Sequence, residues 1–219
     1  KIPYNVATDF TPIVNIAATP NIIAANPKFA GKDYKSFLAE IKNNPGKYSY
    51  ASPGQGSITH LMMEMFKLET KTDMAHVPYR GSGPALNDAV AGQVPLIFDN
   101  FPSTLPFVKE KRLTAIVVAA PQRLAVLPDV PTFKEMGLPQ VNRMAYYGIV
   151  GPKNLPKEVV DKINAAVRKA VQDPAVKKRI EESGSIIMAD TPEAFAKQMA
   201  EELAVYKNVV QKQNLKMDD

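Results

Sequence analysis

At 219 residues, 45% of them hydrophobic and 22% charged, the chain has the composition of a folded globular protein with room for one large domain or two small ones, which excludes a disordered tail, a collagen-like chain and a coiled-coil rod. A formal charge of +5, from 27 Lys+Arg against 22 Asp+Glu, favours anionic partners only weakly and does not point to nucleic acid. Cysteine and tryptophan are absent, so disulfides, thiol nucleophiles, thiolate metal sites and iron–sulfur clusters are excluded together, while oxidising and reducing compartments both stay open.

The longest apolar stretches, such as residues 113–120, fall far short of the roughly 18 residues a bilayer span requires. The two histidines, His60 and His76, match no zinc spacing, so neither a metal nor any other cofactor is indicated. No charged segment with an apolar run behind it opens the chain, and we expect that a part upstream of Lys1 was removed or is missing.

The 19 prolines separate the periodic segments. Two apolar runs, 13–18 and 21–25, flank Thr19-Pro20 and read as strands buried on both faces, a chain passing between two layers. Residues 32–44 carry Tyr34, Phe37, Leu38 and Ile41 at helical spacing and stop at Asn43-Asn44-Pro45-Gly46. A strand over 47–51 then leads through Ser52-Pro53-Gly54-Gln55-Gly56-Ser57 into a helix with Ile58, Leu61, Met62, Met65 and Phe66 on one face.

The order repeats: a strand over 74–78, a turn over 79–84, and a helix carrying Ala85, Leu86, Ala89 and Val90 that Gly92 ends. A third unit has a strand over 94–98 ending in Asp99-Asn100, a helix that Ser103 is expected to cap, and a buried strand over 113–120. This alternation predicts an α/β fold with a mostly parallel sheet. Residues 121–144, with four prolines and little periodicity, read as a connector between two cores. Beyond it lie a strand over 145–150, helices over 157–171 and 175–182, and a long last helix opened by Thr191-Pro192-Glu193.

In open parallel sheets ligands sit at the carboxyl ends of strands, where loops meet helix N-termini whose free N–H groups attract anions. Three such junctions occur in succession. Gly54 and Gly56 let the backbone approach a ligand, and the Ser57 hydroxyl with the Ser57 and Ile58 N–H groups stands ready for a carboxylate. The second junction adds Tyr79, Arg80 and the Gly81 and Ser82 N–H groups, and the third adds Asn100. Nucleotide readings fail on spacing: the glycine loop lacks the lysine of a phosphate-binding loop and has Thr59 where a dinucleotide site needs a third glycine. Ser57 directly follows Gly56, which does not fit a nucleophile elbow, and a hydrolase using Ser57 with His60 lacks an evident orienting acid.

Each residue also has a plain structural reading. The glycines make turns, His60 and His76 pack as satisfied core groups, Arg80 is a solvated surface charge, and Tyr146 and Tyr147 either pack the core or wall a cleft. Asp99 either orients Asn100, caps the next helix or receives a ligand amine.

The strings Tyr48-Ser49-Tyr50-Ala51-Ser52-Pro53-Gly54-Gln55-Gly56-Ser57, His60-Leu61, His76-Val77-Pro78-Tyr79-Arg80-Gly81, Gly92-Gln93-Val94, Phe98-Asp99-Asn100 and Leu127-Pro128-Asp129-Val130-Pro131-Thr132 resemble, in order, those of the Bug family, the solute-binding proteins of tripartite tricarboxylate transporters. The likeness continues through Gly151-Pro152, Asp173-Pro174 and Thr191-Pro192-Glu193. It implies a type II periplasmic binding protein fold, with two α/β domains closing over a small carboxylate that is handed to membrane permease subunits, in the periplasm and without catalysis.

The resemblance implies Ser52, Gly54, Gln55, Gly56 and Ser57 as ligand-binding residues, joined by Tyr79, Arg80, Gly81 and Asn100. It implies a domain of residues 25–131 and a first domain made of 1–24 and 132–219. The secretion signal and the first strand, loop and helix of that domain are absent from this sequence, so we expect a first domain with uncovered apolar surface, prone to dimerisation or to retention of a cleaved piece. An alternative of the same fold presents the bound carboxylate to a sensor kinase.

Overall fold

Pro20 has no N–H to give a ladder, and it divides one long apolar run into β1 (Phe10–Thr19) and β2 (Asn21–Ala25). The computed structural model describes residues 2–216 and splits at this point into two units, one of Lys1–Thr19 with Tyr146–Asp219 and one of Pro20–Ala145.

The second unit continues with α1 (Tyr34–Asn43), β3 (Ser49–Ser52), α2 (Ile58–Thr70), β4 (Ala75–Pro78), α3 (Ser82–Ala91), β5 (Leu96–Asn100), α4 (Phe101–Lys109) and β6 (Thr114–Ala119). Its five-stranded sheet has the order β4-β3-β5-β2-β6. β3 is parallel to both β4 and β5. β2 runs antiparallel to β5 and β6, so the expected mostly parallel sheet is mixed. The direction of β2 is set by the strands it inserts between, β5 and β6, and not by β1, which belongs to the other sheet.

Because side chains alternate across a strand, the sheet has two differently filled faces. Phe37 and Phe66 of the helices pack with each other, and Phe66 and Phe98 both pack on Phe133, with ring centroids about 6 Å apart. The opposite face holds Ala51 and Ile97 against Ala85, Leu86 and Ala89 of α3, with Phe107 and Val108 of α4 at the margin.

Two helix starts differ from expectation. α3 begins at Ser82, because Pro84 sits in the first turn, where its missing N–H has no intrahelical acceptor to lose. The N-cap of α4 is Asn100, which leaves Ser103 two residues inside the helix. The stretch 121–144 also differs: it is built into the second unit instead of linking cores. Phe133 is fully buried, its N–H donates to Val118 O while Val118 N–H donates to Pro131 O, and the Asn142 amide clamps both backbone groups of Ala120. Prolines obscure this in sequence, since they remove periodicity without preventing burial.

The first unit adds β7 (Ala145–Pro152), α5 (Lys157–Ala170), α6 (Pro174–Glu182), β8 (Ile186–Ile187) and α7 (Pro192–Lys212). Its sheet has the order β7-β1-β8. Ile13 and Val14 of β1 pack on Val160 of α5, and the Asn164 amide donates to Ile13 O and Asp190 O. Gly148 lets Phe195 of α7 lie against the strand, since a Cβ there would fall 2.3 Å from the Phe195 ring. Tyr146 packs edge-on against Phe195, whereas Tyr147 is 52% exposed. The large exposed hydrophobics of the described residues, Val126 apart, all belong to this unit. Val6, Phe10, Tyr146, Met199 and Leu203 line an apolar hollow of about 530 Å³ in it.

The anchoring of 121–144 is measurable. Phe133→Ala should lower the unfolding free energy by about 3–5 kcal/mol, the range for emptying a buried aromatic site, read from urea denaturation; a change near zero would mean the segment does not belong to this core.

Candidate functional site

Three neighbouring strands, β4, β3 and β5, run in one direction, so their carboxyl ends meet at one edge of the sheet, and each enters a helix there. The nine residues implied as ligand-binding fall on this edge: Ser52 at the end of β3, Gly54, Gln55, Gly56 and Ser57 between β3 and α2, Tyr79, Arg80 and Gly81 between β4 and α3, and Asn100 at the end of β5. The first two loops are stitched together, Tyr79 N–H donating to Ser52 O at 3.0 Å and Gly81 N–H to Pro53 O at 2.8 Å.

The loops use most of their own amides to hold their shape. Gly54 N–H donates to Ser52 Oγ, Gly56 N–H to His60 Nδ1 at 3.0 Å, and Ser57 N–H to Gly54 O. The Ser57 hydroxyl caps α2 by accepting from His60 N–H. The expectation that Ser57 and Gly81 amides face a ligand is therefore corrected. Closing so tight a turn consumes them, with Gly56 at φ 71° and Gly81 at φ 106°, conformations that glycine reaches without a side-chain clash.

What remains is the first turn of each helix, whose N–H groups have no intrahelical acceptor. In α2 these belong to Ile58 and Thr59, in α3 to Ser82 and Gly83, and α3 has no side-chain cap. α4 offers less, because Phe101 N–H donates to Pro20 O and Pro102 has no N–H.

Side chains at the edge are mostly engaged. The Tyr79 hydroxyl donates to Asp88 at 2.7 Å, and burial together with that bond raises its pKa to about 12. Asp99 is fully buried; its Oδ1 accepts from Ser82 Oγ at 2.8 Å and from Asn100 N–H at 2.7 Å, which orients Asn100, while its Oδ2 is buried without a partner among the described residues. Desolvation pushes its pKa up. Arg80 and Gln55 are exposed.

Beneath the glycine loop lies a feature that sequence reasoning missed. The His60 and His76 rings stack at 3.9 Å with 9° between their planes, and Tyr50 stacks on the other side of His76 at 4.9 Å. His60 follows Ser57 by three residues and His76 is opposite Tyr50 in the register, but only the folded chain superposes them. Tyr50 donates to Glu64, which also pairs with Lys67. Burial depresses both histidines, and the neighbouring His60 adds to the effect on His76, whose pKa falls to about 3. Both rings are therefore neutral at neutral pH, which suits His60 Nδ1 as the acceptor for Gly56.

Ser52 Oγ lies 2.7 Å from His76 Nε2, the distance of a nucleophile and its base. Ser52 is fully buried, however, and the pair braces the loop. His60 turns its Nδ1 to Gly56 and not to Ser57. Among the described residues no group of His, Asp and Glu is arranged to hold a metal, and no helix is long and apolar enough to cross a membrane.

Residues 1–215 match the family model described as tripartite tricarboxylate transporter family receptor. The chain is 34% identical over 197 residues to a protein from the tcbD–tcbE intergenic region of Pseudomonas sp. strain P51, covering 90% of this chain and 59% of that one. It therefore spans about three fifths of that relative's length. Among solved structures it resembles a periplasmic transporter at 48% identity and a TM-score of 0.90, over 100% of this chain and 73% of the other. It also resembles MatC of Rhodopseudomonas palustris, solved with bound malate, at 31% identity and a TM-score of 0.84, over 96% and 72% of the two chains.

The histidine stack gives the loop a pH dependence of known sign. Both folded pKa values lie below the usual 6.5, so the unfolded chain binds more protons; stability is full above about pH 6.5 and declines as pH falls from there toward 3. His76→Phe keeps the stacking but removes one such group. Between pH 7 and 5 this variant should lose less stability than the parent, by on the order of 1 kcal/mol after allowance for solvent screening. Parallel urea titrations with equal losses would refute the role of His76.

Proposed function

This chain belongs to the tripartite tricarboxylate transporter receptor family, and from that premise we propose that it captures a small carboxylate in the periplasm and passes it to the membrane subunits of such a transporter. The observation that carries this reading is the convergence of β4, β3 and β5 on one edge, where α2 and α3 leave first-turn amides without intrahelical acceptors. A helix N-terminus contributes about 0.3–2 kcal/mol to holding an anion, too little alone, so a useful affinity needs two of them acting on one carboxylate or on the two ends of a diacid. The malate-bound relative supports a ligand of that class.

The role of the nine edge residues divides accordingly. Ser52, Gly54, Gly56, Ser57 and Gly81 build the loops, and the loops place the Ile58 and Ser82 amides; Gln55, Arg80, Tyr79 and Asn100 flank them. Arg80, exposed beside the α3 N-terminus, adds a bidentate donor of the geometry that carboxylates favour. Binding of this kind makes and breaks no covalent bond, and we read the protein as a receptor and not an enzyme.

Ile58→Pro tests the donor assignment. Ser57 is already extended, with φ −61° and ψ 157°, and proline is favoured at the first helical position, so this substitution deletes one amide while keeping the helix. In calorimetric titrations with mono-, di- and tricarboxylates, Ile58→Pro should bind about tenfold more weakly than Ile58→Ala, the worth of one hydrogen bond to a charged group. Folded parent protein silent toward every acid would overturn the receptor reading, and equal affinities for the two variants would overturn the amide assignment.

A further inference from the structure

Gly56 sits two residues ahead of Ile58, at the φ of 71° that closes the turn leading into α2. Two bonds hold that turn. Ser57 N–H donates to Gly54 O at 3.2 Å, and Gly56 N–H donates to His60 Nδ1 at 3.0 Å. The second bond carries a chemical condition, because a ring nitrogen accepts only while it has no hydrogen: the contact exists in neutral imidazole and is lost in imidazolium, where both nitrogens donate. On protonation two N–H groups would confront each other across 3.0 Å.

The surroundings do not accommodate the cation where the ring now lies. His60 is 2% exposed, it stacks on His76 of β4 at 3.9 Å, and Tyr50 of β3 closes the far side of that stack. The charged groups facing the two rings, Glu64 and Lys67, belong to α2. Glu64 already accepts from the Tyr50 hydroxyl at 2.7 Å and pairs with Lys67 at 2.9 Å, and Lys67 opposes a second positive charge. A protonated His60 therefore leaves the stack, or the turn lifts away from it, and either movement releases Gly56. His76 differs in this respect. Its Nε2 meets the Ser52 hydroxyl, which can donate or accept, so that contact survives in either protonation state.

We propose that His60 is a positioning residue for the carboxylate site and gates it by proton: the neutral ring fixes turn 54–57 in the shape that leaves the Ile58 and Thr59 amides to the ligand, and protonation frees the turn and weakens binding. The inference rests on the receptor reading above. Burial holds the His60 pKa below the ordinary 6.5, so binding is full above about pH 6.5 and declines as pH falls further.

His60→Asn tests the gate, since an asparagine Oδ1 offers an acceptor in place of Nδ1 and does not titrate. The protein and this variant are titrated calorimetrically with propionate, succinate, malate and citrate at about pH 7.5, and the acid that binds is followed to about pH 4.5, with the folded fraction read by circular dichroism. Protonation of the acid itself is common to both proteins and cancels in the ratio of their affinities. That ratio should be within about twofold of one at the neutral end and reach about tenfold in favour of His60→Asn at the acid end, the worth of one hydrogen bond. A level ratio overturns the gate. So does a ratio that moves toward the parent, which would mean that the cationic ring draws the acid in. His60→Leu, with no acceptor, should bind about tenfold more weakly than the parent at about pH 7.5, a difference that should vanish at about pH 4.5; equal binding at the neutral end overturns the positioning role. If one variant does not fold, the other decides. In the unaltered protein, saturation with the acid should lower the pH at which the His60 imidazole titrates by NMR, and a rise overturns the gate. Folded parent that binds none of the acids at about pH 7.5 overturns the receptor reading, an outcome distinct from binding with a level ratio.

Discussion

A loop must satisfy its own amides before it has any to offer a ligand, and this constraint shapes the whole sheet edge. Gly54, Gly56, Ser57 and Gly81 all donate inward, to Ser52, His60, Gly54 and Pro53. Their bonds make the loops stiff and stitch the first to the second. The helices that follow then inherit the donor role, since the amides of a first turn cannot be satisfied within the helix. Glycine-rich loop and helix N-terminus are thus two halves of one device, the former holding and the latter gripping. The parallel direction of β4, β3 and β5 brings more than one such device to the same edge.

Support for the loops comes from an aromatic stack that is polar at its rims and kept neutral by burial. Tyr50, His76 and His60 lie in sequence under the turn, with Ser52 and Gly56 bonded to the two imidazoles. Imidazole suits this place because a neutral ring offers an acceptor nitrogen and a flat apolar face together. The arrangement imitates a nucleophile and base at the Ser52–His76 contact, but burial of the serine gives it a bracing role.

Much of the fold was legible in the chain. The strand–loop–helix succession from Ser49 to Ala91, the capping threonine and proline of α7, and the two strands on either side of Pro20 follow from spacing and from the local chemistry of proline, glycine and hydroxyl caps. Where sequence reasoning erred, a tertiary contact had overruled a local cue. Residues 121–144 carry few periodic positions, yet Phe133 fills the core against Phe66 and Phe98. The antiparallel course of β2 depends on which neighbours it finds in the sheet, which no window of residues around it encodes.

The amino-acid order by itself determined that donors would gather at the three glycine- and asparagine-bearing junctions, because the preferences of Gly56, Gly81 and Ser57 act within a few residues of backbone. The folded structure alone decided which donors those were and what faces them. Whether an amide is free depends on acceptors brought from elsewhere, as His60 is to Gly56 and Pro53 to Gly81. The pairing of Asn21 with Asn100, 79 positions apart in the chain, likewise exists only through strand register, since hydrogen bonds across a sheet join residues by geometry and not by their separation in sequence.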